Sequence, residues 1–378
     1  MKSRVLILGC GPSAALAAIE LAGMGYPVQV AGELREFPCI EGVSERVFSA
    51  LKHRDLHWHV SEPVQRTAIW SGEHRAVNSE RLIERRLFDE ASLAALRKRG
   101  IAILLDRIDG VDTDQPSATL RSGQVLSADF VIDARGRAAG YGSGGSVRGP
   151  TSVSLCAEFQ SEPDRPLTLA MSQRDGWLWL ARQADGKLFV QKTTGGETLS
   201  VTKNEIPDWL ASELSDLSGI ELRSPGRGFA RSSTPVLVNR LVQPGYLRIG
   251  DAASAVDPLS GNGIFQALSS ALTAVAVVNT MLQKPDDAEL AMTFYHERVE
   301  HLFTRFARTG RDFYRSESGW ADETFWEQRR SWPDNEPLHL DQDEVVGHAW
   351  RPVINNGFIE EKEVVITRDQ PLGIWLDR

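Results

Sequence analysis

The run Arg4-Val-Leu-Ile-Leu-Gly-Cys-Gly-Pro-Ser-Ala14 places the tightest limit on how this chain can fold. Its apolar residues read as a buried strand, and Gly9-x-Gly11-x-x-Ala14 follows at once, opening an alanine-rich helix that runs to about Gly23. The spacing has a physical reason. The first glycine permits a tight turn, the second lets a pyrophosphate approach the backbone, and Ala14 is small enough for close helix–strand packing. Pro12 and Ser13 lie inside the same turn and join the candidate binding set. A second strand, Pro27 to Ala31, comes at the usual strand–helix–strand distance, so the entry predicts a parallel sheet. The acid that binds ribose in such folds is expected where that strand ends. Gly32 occupies that place, which leaves Glu33, one residue later, as the candidate ribose ligand.

A second stretch, Tyr246-Leu-Arg-Ile-Gly-Asp-Ala-Ala-Ser-Ala-Val-Asp-Pro-Leu-Ser-Gly-Asn-Gly-Ile264, joins a short apolar strand, an acidic turn and a glycine-opened helix. Gly250 and Asp251 end the strand, and Pro258, Gly261, Asn262 and Gly263 lead into a helix expected over Ile264 to Val278. A helix N-terminus carries partial positive charge and unpaired donors. It suits the pyrimidine edge of a flavin, which gains negative charge on reduction, while Asp251 suits the ribityl hydroxyls. The competing reading is a strand and a helix joined by a plain tight turn.

Length and composition set the frame for these motifs. A chain of 378 residues accommodates two or three interlocked units around a sizeable core. Its net charge of −9 argues against non-specific nucleic-acid binding, which needs a basic surface. No apolar run approaches the length needed to span a bilayer, and a strand starting at Arg4 leaves no room for a signal peptide, so the expectation is a cytoplasmic protein without a transmembrane segment. Cys10, Cys39 and Cys156 are too few and too scattered for a disulfide framework or a metal cluster, and no metal is expected.

Along the chain the units interleave. Residues 1–149 and 236–284 read as one discontinuous nucleotide-binding domain, with a polar stretch at 36–79, an amphipathic helix at 80–99 and strands at Ile101–Leu105 and Phe130–Asp133. Residues 150–235 alternate in the strand manner and are expected to form an antiparallel sheet over the cofactor. Within it, Gly176-Trp-Leu-Trp-Leu-Ala181 puts Trp177 and Trp179 on one sheet face. Residues 285–330 read as helices and 331–378 as a tryptophan-rich tail with strands at Phe358–Ile366 and Leu372–Leu376. The tail tryptophans either wedge it onto the body or form a docking face for a partner.

With both glycine motifs in place, the order of elements resembles the glutathione-reductase-type flavoproteins, a group that includes aromatic hydroxylases, flavin-dependent halogenases and geranylgeranyl reductases. Arg85-Arg-Leu-Phe-Asp89 is similar to that group's Arg-x-x-Phe-Asp helix, whose arginine reaches the FAD phosphates, and Val131-Ile-Asp-Ala-Arg-Gly-Arg137 to the strand behind FAD. The resemblance implies an α/β fold with a Rossmann-like FAD-binding domain, and it adds Arg85, Asp133 and Gly136 to the cofactor candidates; Arg46 joins them because Phe37–Arg46 resembles the loop near the flavin in the subgroup of these proteins that matures tryptophylquinone cofactors. From sequence alone Arg85 and Arg86 are both solvated helix residues; the resemblance lifts only Arg85. Asp133 and Arg137 have a second reading as a simple ion pair.

Gly176 to Ala181 resembles the Gly-Trp-x-Trp-x-Ile-Pro signature of halogenases. The lysine that captures hypohalous acid in those enzymes aligns with Arg66 here, and a guanidinium offers no nucleophilic amine. A better match is the halogenase-like subgroup that matures tryptophylquinone cofactors, as for lysine ε-oxidase, glycine oxidase and quinohemoprotein amine dehydrogenase. That resemblance implies a monooxygenase using FAD and O2 through a flavin C4a-hydroperoxide, reduced by NAD(P)H or by a separate flavin reductase. Its substrate is an aromatic small molecule or a tryptophan of a partner polypeptide. Arg66, Glu45 and His57 are the catalytic candidates, with Glu41 and His59 as neighbours; an extended His57-Trp-His59 points both imidazoles to one side. Halogenation of a small aromatic, isoprenoid reduction and a non-catalytic accessory role are the alternatives.

Overall fold

The computed structural model describes residues 2–57, 59–142, 144–196, 201–214, 222, 226–338 and 345–367. Its seven helices among the described residues are α1 (Pro12–Gly23), α2 (Glu45–Lys52), α3 (Arg85–Lys98), α4 (Ile206–Leu214), α5 (Gly263–Gln283), α6 (Ala288–Arg315) and α7 (Thr324–Arg330). Strands Tyr246–Arg248, Phe130–Asp133, Val5–Leu8, Val28–Gly32 and Ala102–Leu105 lie side by side and parallel, with Val242–Gln243 antiparallel at one edge. A parallel sheet is covered on both faces, which explains why these strands read as unbroken apolar runs. Val5 and Ile7 point into the core built with α1 and α5, whereas Leu6 and Leu8 meet Ala118, Leu120 and Leu126 of a three-stranded meander on the opposite face.

The second sheet has eight strands in the order Phe229–Ser232, Ser152–Gln160, Lys187–Gly195, Gly176–Arg182, Leu167–Gln173, Val64–Trp70, Glu73–Glu84 and Ile40–Val43. Its strands pair antiparallel except where Leu167–Gln173 meets Val64–Trp70. The 36–79 stretch therefore is not simply polar connection, and the helix expected from residue 80 begins at Arg85. Residues 81–84 give their backbone groups to the ladder with Ile40–Val43 instead. Leu155, Leu178, Leu180 and Val190 face outward under α4, while Trp177, Trp179, Phe189, Gln191 and Thr193 share the opposite face, where Trp177 clusters with Leu259, Tyr314 and Trp326.

Helix α5 is 21 residues long and apolar enough to cross a membrane by length and composition, which corrects the expectation that no run approaches that size. Its window is 72% buried inside the protein, packed on α1 and α6. The helical stretch expected over 285–330 breaks between α6 and α7. There buried Glu317 accepts from the backbone N–H groups of Ser71 (2.7 Å) and Gly319 (2.7 Å), pinning the turn between Val64–Trp70 and Glu73–Glu84. Val345–Asn355 and Phe358–Thr367 form a hairpin; Leu372–Leu376 lies outside the described residues. The tryptophans of this region divide: Trp326 is fully buried, Trp332 packs on Gly149, and Trp350 is 64% exposed.

Candidate active site

The glycine turn after Val5–Leu8 is shaped by contacts that tolerate no side chain. Gly9 has φ +116°, and a Cβ there would stand 2.5 Å from the Ala134 carbonyl oxygen. Gly32 ends its strand against the same turn, where a Cβ would lie 2.9 Å from the Gly9 Cα. The expected ribose acid is therefore absent for a steric reason. Glu33 follows it, exposed, and close enough to Cys10 to raise that thiol together with its burial, the larger cause, and Asp89; the thiol reaches about 12. Gly250 of the second motif has φ +58° and approaches Ser13, 3.0 Å separating its hypothetical Cβ from Ser13 Oγ. Gly136 lies against Asp251, 3.9 Å to its Cβ. The two motifs thus close on one cleft.

Arg85 enters that cleft from the first turn of α3 and lies 4.0 Å from the position of a Gly11 Cβ. It is buried, donates to Glu41 Oε1 at 2.8 Å, approaches Asp89 at 3.5 Å, and its Nε is a buried donor with no partner. Arg86, one residue on, pairs with Glu90 at the surface. Burial pushes the Glu41 carboxyl upward, but Arg85, Arg35 and Arg231 outweigh it and hold it at about 2. Arg231 extends the network across the second sheet: its Nη2 donates to Gln191 Oε1 at 2.6 Å, and Gln191 Nε2 donates to Thr193 Oγ1 at 3.1 Å.

At the other end of the cleft, Asp257 starts the short helical turn Pro258–Ser260, Gly261 adopts the left-handed conformation at φ +62°, and α5 follows. Gly261 and Gly263 are exposed and Ile264 is buried. Neither α1 nor α5 has a side-chain cap on its N-terminus; Asn262 turns its amide back to the Ser260 carbonyl at 2.7 Å. Both helices therefore offer first-turn N–H groups to the cleft. Arg66 meets this end, Nη1 standing 3.8 Å from the position of a Gly261 Cβ. It sits where Val64–Trp70 slips against Glu73–Glu84, with Val77 and Asn78 opposite one residue. Such a bulge re-aims a side chain. Gln65 donates to the Val77 carbonyl at 3.1 Å and so repairs the interrupted ladder. Arg46 completes this end, its guanidinium 5.0 Å above the Phe265 ring.

Four sequence expectations change. Asp133 is not free for a ligand: it accepts from Arg135 Nε (2.9 Å) and Nη2 (2.7 Å) and from the Tyr246 hydroxyl (3.0 Å), so it braces the strand ends. Its partner is Arg135, while Arg137 donates to the Thr234 carbonyl and lies 3.9 Å from Asp251. The Asp251 side chain opens to the cleft yet is ringed by protein; burial pushes its carboxyl up and Arg137 pulls it partly back. Glu45 pairs with Arg81 at 2.8 Å, Arg81 covers Phe48 and Phe48 meets His57 edge-on, so Glu45 and His57 belong to a cluster around α2. His59 has φ +61°, so the histidine pair is not extended.

Residues 74–350 match the tryptophan halogenase family. The chain belongs to that family. Among solved structures, the peptidyl tryptophan dihydroxylase QhpG, essential for tryptophylquinone cofactor biogenesis, is 40% identical, with a TM-score of 0.88 over 99% of this chain and 90% of that one. The flavin-dependent halogenase CmlS shares the fold at 16% identity, with a TM-score of 0.78 over 97% of this chain and 85% of CmlS. A digeranylgeranylglycerophospholipid reductase of Methanopyrus kandleri is 24% identical over 80% of this chain and 83% of its own. Family membership makes the protein an FAD-dependent oxidoreductase. The cleft fits that cofactor on its own geometry: a glycine cradle that a Cβ would fill, two uncapped helix starts and a buried arginine N–H without a partner. Sequence reasoning assigned no role to Arg231, Gln191, Thr193, Asp257 or Tyr314, whose partners come from distant segments and meet only in the fold.

Proposed function

We propose that this FAD enzyme hydroxylates the indole ring of a tryptophan in a partner polypeptide, with O2 as oxygen source. The observation that carries the reading is Arg66 at Gly261. The side chain aimed at the start of α5 is a guanidinium, permanently charged and not nucleophilic, in a chain 40% identical to a peptidyl tryptophan dihydroxylase. The lysines of the second sheet do not replace an amine there, since Lys187 is tied to Glu84 and Lys192 to Asp175 and Glu213.

In this reading Arg85, with Gly9, Gly11 and Ser13, holds the FAD pyrophosphate, and Glu33 and Asp251 face its ribose and ribityl hydroxyls. The bound flavin supplies oxygen activation, with electrons from NAD(P)H or a separate flavin reductase. One oxygen atom of O2 goes to the ring and the other leaves as water. The N–H groups of Gly261 to Ile264 and the Arg66 charge favour negative charge developing between them. Trp179, half-buried on the inner sheet face, gives the indole an aromatic wall, and the packed sheet face excludes water from it. Glu45 and His57 serve the fold of α2 rather than proton transfer.

The test supplies FAD-loaded protein with NAD(P)H, a flavin reductase and isotopically labelled O2. The substrates compared are free tryptophan, tryptophan-bearing peptides and a quinoprotein subunit. Labelled oxygen on a peptide tryptophan is the expected result. Halide incorporation without oxygen transfer, or anaerobic reduction of an isoprenoid alkene, overturns the reading.

A further inference from the structure

Beside the flavin-facing turn lies a buried hydrogen-bonded chain that the reading above leaves unused. The Trp177 indole N–H donates to the Tyr314 hydroxyl at 3.1 Å, and that hydroxyl donates to Asp257 Oδ2 at 3.0 Å. The other carboxylate oxygen, Oδ1, accepts from the Leu259 N–H at 2.9 Å. All three side chains are buried: Trp177 is 3%, Tyr314 2% and Asp257 6% exposed. Each comes from a different part of the fold, namely the inner face of the second sheet, the last turn of α6 and the residue that opens Pro258–Ser260.

Each contact here has a direction. Tyr314 has one proton, and with Trp177 donating to its oxygen that proton is free to go to Asp257. Burial pushes both the Asp257 carboxyl and the Tyr314 hydroxyl up from their ordinary values. Asp257 draws its compensation from the Leu259 N–H, the nearby Arg329 charge, Tyr314 and Arg137. Arg329 is held in turn by the Phe325 and Thr151 carbonyls and by Ser152. Phe325 and Trp326 pack around Tyr314 with ring centroids 5.9 and 5.7 Å away and seal the chain from water. Nothing in this arrangement faces a ligand, so its effect passes through the turn that it holds.

We infer that Tyr314, through Asp257, positions the turn Pro258–Gly263 at the flavin and fixes it in register with the sheet face that carries Trp177 and Trp179. Trp177 and Trp179 alternate along one strand on the face expected to receive the aromatic substrate. The same strand therefore meets substrate at Trp179 and, two residues away, holds the support of the loop that meets the flavin. Tyr314 is a positioning residue. This inference rests on FAD lying at the start of α5 and is independent of which substrate is hydroxylated.

The experiment uses the full chain loaded with FAD and two readouts that need no organic substrate: the visible absorption spectrum of bound FAD, and the rate at which O2 reoxidises the dithionite-reduced protein. Tyr314→Phe keeps the ring and removes the one O–H. It is expected to retain FAD stoichiometry, to shift the bound flavin's absorption and to slow reoxidation about tenfold, the scale of losing one buried hydrogen bond. Trp177→Phe leaves the Tyr314–Asp257 bond in place and is expected to change reoxidation less than about threefold. Phe325→Leu tests packing in the same cluster and is expected to lower stability while leaving the spectrum unaltered. The inference is overturned if Tyr314→Phe leaves spectrum and reoxidation as in the unsubstituted protein, or if Phe325→Leu reproduces its effects in full. Failure of the unsubstituted protein to bind FAD refutes the cofactor placement instead, and is read separately.

Discussion

Removing the Arg85 guanidinium separates its two roles, as a buried partner of Glu41 and as a ligand for the cofactor. In Arg85→Met the apoprotein loses the 2.8 Å contact to Glu41 and the weaker one to Asp89. Breaking a buried pair from one side costs about 3–5 kcal/mol when nothing else compensates the orphaned charge. Here Arg231 remains 4.0 Å from Glu41, and Arg35 also acts on it, so a loss of about 2–3 kcal/mol is expected. For FAD, one charge-assisted hydrogen bond is worth about 1.5–3 kcal/mol, or roughly a 10- to 150-fold weaker Kd. The double substitution Glu41→Gln with Arg85→Met removes the nearer of the two carboxylates that this orphans. It is expected to recover part of the apoprotein stability while FAD affinity stays low. Urea unfolding of the apoprotein and fluorescence titration with FAD measure the two effects. Recovery of FAD affinity in the double variant, or undiminished affinity in the single one, refutes the placement of Arg85 at the phosphates.

Other outcomes follow from neighbouring geometry. Gly32→Ala brings a Cβ to 2.9 Å from the Gly9 Cα and is expected to abolish FAD binding or soluble expression, whereas Gly23→Ala, where a Cβ meets nothing within 4 Å, is expected to leave both intact; absorbance of the purified proteins compares them. Arg66→Ala is expected to retain FAD but to slow oxygen transfer by about tenfold or more, as for loss of one preorganised charge, while Arg66→Lys tests whether an amine at this place diverts the enzyme toward halide chemistry, read by mass spectrometry. Glu41 is held at about 2 in the folded protein, below the ordinary 4.5. Its ionised form is thus favoured by folding, and its contribution is complete above about pH 4.5 and fades as pH falls toward 2. The stability difference between the unsubstituted protein and Glu41→Gln should narrow over that interval; a difference that widens on acidification contradicts the assignment.

How much of this was legible in the sequence depends on how local each signal is. The glycine turn at Gly9–Ala14 and the segment Gly250–Ile264 carry their reasons within a few residues, and both stand where spacing places them. Arg85 was separated from Arg86 only by the chain order of a resembling family, because helical spacing alone does not tell a buried arginine from a solvated one. Glu73–Glu84 was misread in part because its exposed ribbon is rich in charge, so it lacks the apolar alternation of a half-buried strand. Asp133 matched a binding motif, yet Arg135 and Tyr246 occupy its oxygens. Tyr314, Asp257 and Trp177 form a contact network from separations that no periodicity records.

The threading of the chain between its two largest sheets also has a consequence for synthesis. Phe130–Asp133 borders the centre of the parallel sheet, but the strand that covers its outer edge begins 113 residues later, at Tyr246. During elongation at the ribosome that edge emerges first and waits with unpaired backbone groups, as an unprotected sheet edge open to association with other chains. The waiting time ends only when the Tyr246–Ile264 segment arrives, and that same segment brings the helix start facing the flavin. Protection of the nascent sheet and completion of the cofactor cleft are therefore one late event, which makes soluble yield sensitive to truncation anywhere before residue 264.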